Sequence, residues 1–341
     1  MNLFLVPQYP VHEKSDIYSN TADMPHRNNK LLPGKKYLCL LLFSIQTLFA
    51  SAQPGSITSI ESGKQWIDVD YVGDGIIGHK LDIHLPKNGK GPFPVIICIY
   101  GSAFFSNSSK GNVFKEGIGQ ALLNAGFAVV SINHRSSRDA IFPAQIQDVK
   151  SAIRFTRANA KTYNLKGENI GITGWSSGGH LSSMAGTTSS LRIGENKGNK
   201  VDLVGSSPTF PTISDAVQAV VDWFGPTDFL RMDSCGSTMN HNDEKSPESS
   251  LVGGPIQENR EKTRLTDPAF YVNSKTPPFL IFHGDKDPLV PFCESEYFYG
   301  VLTSKGVSAT FVPVPGGGHG PGVMIDRYYA MMVEFFKEHI K

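Results

Sequence analysis

Neither sign of charge is in excess in this sequence: 32 Lys and Arg stand against 31 Asp and Glu. A nucleic-acid partner calls for a basic surplus that displaces counterions from phosphate, and an acidic solvated chain for the opposite, so both classes are excluded. Cysteine is scarce as well. Four in 341 residues are too few for a disulfide-built scaffold, and none has the paired spacing of a zinc site, so no metal or other cofactor is expected. No repeat of fixed period is present, which excludes solenoids and propellers. An apolar fraction of 40% and 21 Phe among the aromatics are what a globular chain with a large core carries.

The one long apolar run is YLCLLLFSIQTLFA, residues 37–50, preceded by Lys35 and Lys36 and followed by Ser51 and Ala52. It is short for a membrane span, and small residues at Ala50 and Ala52 suit a signal peptidase. Residues 1–52 therefore read as a signal peptide with an extended leader, starting at Met1 or Met24, and 53–341 as a single domain. A secreted or periplasmic location follows, with no stable membrane span after cleavage. Three cysteines remain beyond the cut. Cys98 lies in an apolar run and reads as buried, while Cys235 and Cys293 form a candidate bridge.

Beyond the leader, short runs rich in branched residues alternate with helical patterns, the mark of a mainly parallel sheet covered by helices on both faces. Strands are predicted at Val95 to Tyr100, Ala128 to Ile132, Ile170 to Thr173, Ala219 to Val221, Phe279 to Phe282 and Thr310 to Val314. Gln65 to Val69 and Lys80 to Leu85 alternate in period two, as an edge hairpin does. Helices are predicted after Pro143 and from Val323 to Ile340. The polar stretch from Asp228 to Pro268 reads as an insertion before the strand at Phe279, in the manner of a lid or binding loop.

The strand at Ile170 runs into Gly174-Trp175-Ser176-Ser177-Gly178, a G-x-S-x-G turn before a helical pattern. Such a turn projects a serine hydroxyl outward, and a helix start aims the N–H of Ser177 at a developing oxyanion. A serine attacks only when a base takes its proton and a carboxylate holds that base. Both types occur just beyond later strands: Asp285 and Asp287 after Phe282, and His319 among glycines after Val314. In an open parallel sheet these ends converge, and the order Ser, Asp, His is that of the α/β-hydrolases. Spacing leaves Asp285 and Asp287 both open. The loop after Tyr100 offers the backbone N–H groups of Ser102 and Ala103 as further oxyanion donors.

His180 reads as packing rather than metal binding, His283 as a brace for the acid loop, and Asp148 and Arg154 as structural contacts. Phe104, Phe105, Trp175, Trp223 and Phe224 are candidates for either a pocket or the core.

With these motifs in place, the chain resembles the α/β-hydrolase family, and within it the secreted bacterial feruloyl and acetyl-xylan esterase branch related to hormone-sensitive lipase. The resemblance is carried by FPAQIQDVKSAIRFTRANA (142–160), GWSSGGHLSSM (174–184), VQAVVDWFGPTDF (217–229), SPESSLVGGPIQEN (246–259) and HGDKDPLVP (283–291). It implies an α/β-hydrolase fold, a serine esterase acting on acetyl or feruloyl groups of plant polysaccharides, and Asp287 as the acid, from the pattern H-G-x-x-D-x-x-V. Relatives carry H-G-G-A or H-G-G-G at the oxyanion loop, where this chain has Tyr100 and Ser102. The alternative is a serine peptidase like the catalytic domain of prolyl oligopeptidases, although no repeat is available to build a propeller.

Overall fold

The structure, a computed structural model, describes residues 59–205 and 210–341, so the leader at 1–52 lies outside the described residues. Among the described residues ten strands occur in chain order: β1 Gln65–Asp70, β2 Lys80–His84, β3 Phe93–Ile99, β4 Ala128–Ile132, β5 Leu165–Trp175, β6 Ile193–Asn196, β7 Asn199–Asp202, β8 Ala219–Trp223, β9 Phe279–Gly284 and β10 Ala309–Val314. Eight of them form one sheet in the order β1-β2-β4-β3-β5-β8-β9-β10. β2 pairs antiparallel with both β1 and β4, and β4, β3, β5, β8, β9 and β10 run parallel. The mainly parallel sheet with an edge hairpin is thus as expected. The small hairpin β6–β7 was not predicted.

Alternation along the strands explains the layers. Val95, Ile97 and Ile99 enter one core with Ile172, Val220 and Ile281, while Ile96, Cys98 and Tyr100 enter a second with Val221, Trp223 and Phe282. The helices divide accordingly. The first core is closed by α3 (Ala144–Ala158), α4 (Ser177–Thr187) and α7 (Cys293–Ser304) through Val149, Met184 and Phe298. The second is closed by α1 (Asn112–Lys115), α2 (Ile118–Asn124) and α8 (Asp326–His339) through Phe114, Leu122 and Phe336.

Two boundaries differ from the sequence reading by three residues or more. β5 begins at Leu165, because Leu165 and Lys166 pair with Phe93 and Pro94 before a register shift. This lead-in is polar and shows no alternation. α8 starts at Asp326, since Val323 belongs to the preceding glycine loop and donates its N–H to Gly320 O.

The insertion between β8 and β9 is built, not irregular. It holds α5 (Pro247–Val252), α6 (Arg260–Thr263) and three short 3₁₀ turns. Ser246 caps α5 by accepting from the Ser249 N–H, Pro247 opens it, and Gly253 ends it at φ 90°. A disulfide joins Cys235 to Cys293 at the start of α7, and Cys98 is free and buried. Among the described residues, no helix is long and apolar enough to cross a membrane.

Candidate active site

Ser176 sits between β5 and α4 at φ 55° and ψ −126°, a backbone conformation that costs a side-chain-bearing residue on the order of 1–3 kcal/mol. The fold holds it there from both sides: Ser176 N–H donates to Trp223 O, and Ser176 O accepts from the His180 N–H. The turn closes only because two neighbours lack side chains. A Cβ on Gly174 would lie 2.4 Å from Gly178 O, and one on Gly178 would lie 2.3 Å from Ile99 O.

The loops after β9 and β10 meet at this turn. His319 Nε2 lies 2.9 Å from Ser176 Oγ, and His319 Nδ1 lies 2.7 Å from Asp287 Oδ2. With a carboxylate at Nδ1, that nitrogen carries the proton and Nε2 is the acceptor facing the serine hydroxyl. Asp287 is fully withdrawn from solvent. Its Oδ1 accepts from the N–H groups of Leu289 and Val290, while its Oδ2 faces His319 and, at 3.4 Å, His283 Nε2. Burial alone would raise this carboxyl, but the hydrogen bonds from His283 and His319 outweigh it and hold the group well below the usual carboxylate range. His283 is fixed beneath it, 2.7 Å from Ser295 Oγ and 3.0 Å from Val290 O.

The two aspartates that spacing left open have separate places. Asp285 Oδ1 accepts from the Gly316 N–H at 2.7 Å and so ties the acid loop to the histidine loop, away from the imidazole.

Of the three residues expected to donate to an oxyanion, one is otherwise engaged. The Ser102 N–H donates to Ser177 Oγ at 2.9 Å, which makes Ser102 an anchor of the loop and not a free donor. Ala103 and Phe104 take left-handed backbone at φ 51° and 62°, and the Ala103 N–H has no acceptor among the described residues. Ser177, as the first residue of α4, has an N–H without a partner inside the helix.

A cavity of ≈ 770 Å³ opens over Ser176. Ala103, Phe104, Trp175, Phe224 and His319 line it from the sheet side, and Met239, His241, Pro247 and Glu248 from the insertion. The insertion therefore walls the cavity, as expected of a binding loop. The aromatic candidates divide: Trp223 belongs to the core, stacked on Phe282 at 4.2 Å with its Nε1–H on Thr173 Oγ1, and Phe105 lies under Arg138. His180 packs between Phe104 and Phe229 with Nδ1 on Pro226 O, and burial lowers it to about 4. Asp148 receives Arg135 and His79, and Arg154 lies 3.8 Å from Asp215, both structural contacts.

Cys235, Cys293 and Glu294 are close enough to suggest metal ligands, but the two sulfurs are joined to one another. His241 and Glu248 were not singled out in the sequence. They lie in a polar run without periodicity, and only the fold brings them to the cavity.

An eight-stranded, mostly parallel sheet that presents a serine beyond β5, an aspartate beyond β9 and a histidine beyond β10 defines an α/β-hydrolase. The chain belongs to the BD-FAE family, whose profile matches residues 81–302. It is similar to Esterase LipQ of Mycobacterium tuberculosis, 29% identical over 227 residues that cover 66% of this chain and 50% of the relative. Acetylxylan esterase of Xylanibacter ruminicola is 26% identical over 240 residues, covering 70% of this chain and 42% of the relative. The chain spans about half the length of the curated relatives it matches. A solved structure described as a truncated form of carbohydrate esterase from gut microbiota is 45% identical, with a TM-score of 0.79, covering 82% of this chain and 97% of that one.

Proposed function

We propose that the chain is a secreted or periplasmic serine esterase that hydrolyses acetyl or feruloyl esters of plant polysaccharides through an acyl-enzyme on Ser176. The observation that carries this reading is the unbroken relay from Ser176 Oγ through the His319 ring to Asp287 Oδ2. The geometry supports the following course. Ser176 Oγ attacks the ester carbonyl as its proton passes to His319 Nε2, and Asp287 stabilises the imidazolium. The oxyanion gathers against the N–H groups of Ala103 and Ser177. His319 then protonates the departing alcohol, and water repeats the sequence to release the acid.

Kinship with an acetylxylan esterase and a carbohydrate esterase supports the polysaccharide substrate. The bridge between Cys235 and Cys293 supports an oxidising compartment, where disulfides persist.

A short chromogenic acetyl ester tests the chemistry: the native chain turns it over and Ser176→Ala loses at least about a thousandfold in kcat, whereas equal rates remove the proposal. Aminoacyl and prolyl anilides in the same assay separate a peptidase from an esterase, and acid released from acetylated and feruloylated xylan identifies the acyl group. Export predicts protein outside the cytoplasm with Gln53 as its first residue.

A further inference from the structure

Around Ser176 the cavity is walled mainly by the rings of Phe104, Trp175 and Phe224, with Ser102 as a polar neighbour. On the insertion side it is lined by His241 and Glu248, only 2% and 4% exposed. His241 is fully engaged, with Nδ1 2.8 Å from Glu248 Oε2 and Nε2 2.7 Å from Ser237 Oγ. Its main chain is held as well, the N–H by Asp233 and the carbonyl by Ser246 and Ser249. Glu248 stands on the first turn of α5, whose Ser246 cap fixes its direction. Only one of its oxygens is used. Oε2 accepts from His241, and Oε1 receives no donor from any described residue. This oxygen is not sealed in the core but keeps access to solvent at the cavity wall, so a ligand hydroxyl can take the place of water there. Glu116, the other acid lining the cavity, is exposed.

We infer that Glu248 Oε1 accepts a hydrogen bond from a hydroxyl on the alcohol part of the bound ester, so that Glu248, positioned by His241, determines specificity for polyol esters over plain alkyl esters. This rests on the esterase reading and deepens it: the acyl carbonyl is held at Ser176, and the sugar is read from the insertion. A site built to bond a hydroxyl rejects the analogue that lacks it, because its own polar group is then left unpaired.

The test uses two acetyl esters of similar ring size, a monoacetylated methyl xyloside and cyclohexyl acetate, with the full chain and with Glu248→Gln. Glutamine keeps the volume and gives His241 Nδ1–H its acceptor, but presents an amide N–H₂ where the carboxylate oxygen stood. The native protein is expected to favour the xyloside in kcat/KM by about tenfold or more, chiefly through KM, and the variant to reduce that preference to within about twofold. A merely structural Glu248 lowers both esters by the same factor, which overturns the inference. So does a native protein without preference, a result that needs no variant to fold. Hydrolysis of neither ester by the native protein removes the esterase reading itself, and this inference with it.

Discussion

At the scale of single residues, Asp287 shows how much of an active site is a matter of hydrogen-bond direction. Its carboxylate is turned inward by the Leu289 and Val290 N–H groups and shared between two imidazoles. Asparagine fits the space but, with its N–H₂ toward Nδ1, holds His319 in the wrong tautomer. Asp287→Asn should therefore lower kcat by roughly ten-thousandfold, as read by ester hydrolysis with protein shown to be folded. Ser176, His319 and the need for an aspartate were legible in the sequence, because each follows a strand whose end lies at one edge of the sheet. The choice between Asp285 and Asp287 was not legible from spacing. Two residues apart, they differ only in where the turn aims them, one at the Gly316 N–H and one at the imidazole. Ser102 was misread for a related reason. Its N–H is consumed by Ser177 Oγ, a pairing across 75 positions that no local pattern records.

Among the elements, the strands were readable and the insertion was not. Val95 to Ile99 alternates between two cores and is apolar on both sides, a signal that survives without context. The insertion draws its order from caps, an ion pair of Arg264 with Asp228 and Asp267, and a cross-link, none of which makes a periodic pattern. The cap of α5 did leave its mark as Ser246-Pro247 and Gly253. The cross-link closes a loop of 58 residues, for which chain entropy gives about 4 kcal/mol. Cys293→Ser should accordingly lower the melting temperature by several degrees. Unfolding of the native and variant chains, with and without reductant, checks this: reductant should lower the native chain to the level of the variant and leave the variant itself unmoved.

For the whole molecule, two buried carboxyls set how stability changes with pH. Glu294 at the start of α7 is raised to about 7, chiefly by burial, although Thr227 and Asp228 donate to its Oε2. Asp267 is likewise raised to about 7 by burial and by Asp228 nearby. A carboxyl whose folded value lies above its unfolded one contributes stability that is complete below the unfolded value, near 4, and is lost as pH rises through about 7. Asp287 acts in the opposite sense: its folded value is depressed, so its contribution is present above the unfolded value near 4 and is lost as pH falls below that. The melting temperature should therefore fall between about pH 6 and pH 8, and Glu294→Gln should flatten that fall. Scans of both proteins across this range decide it, an unchanged slope in the variant counting against Glu294 as a source.

The proposed function requires that one serine of this chain becomes covalently acylated. A fluorophosphonate, which captures an activated serine, tests this most directly when the labelled protein is weighed intact and its peptides are mapped. One phosphonyl group per chain is expected, carried on Ser176, with ester hydrolysis lost in proportion to labelling. An unlabelled folded protein, or a label on another serine with hydrolysis lost, would contradict it.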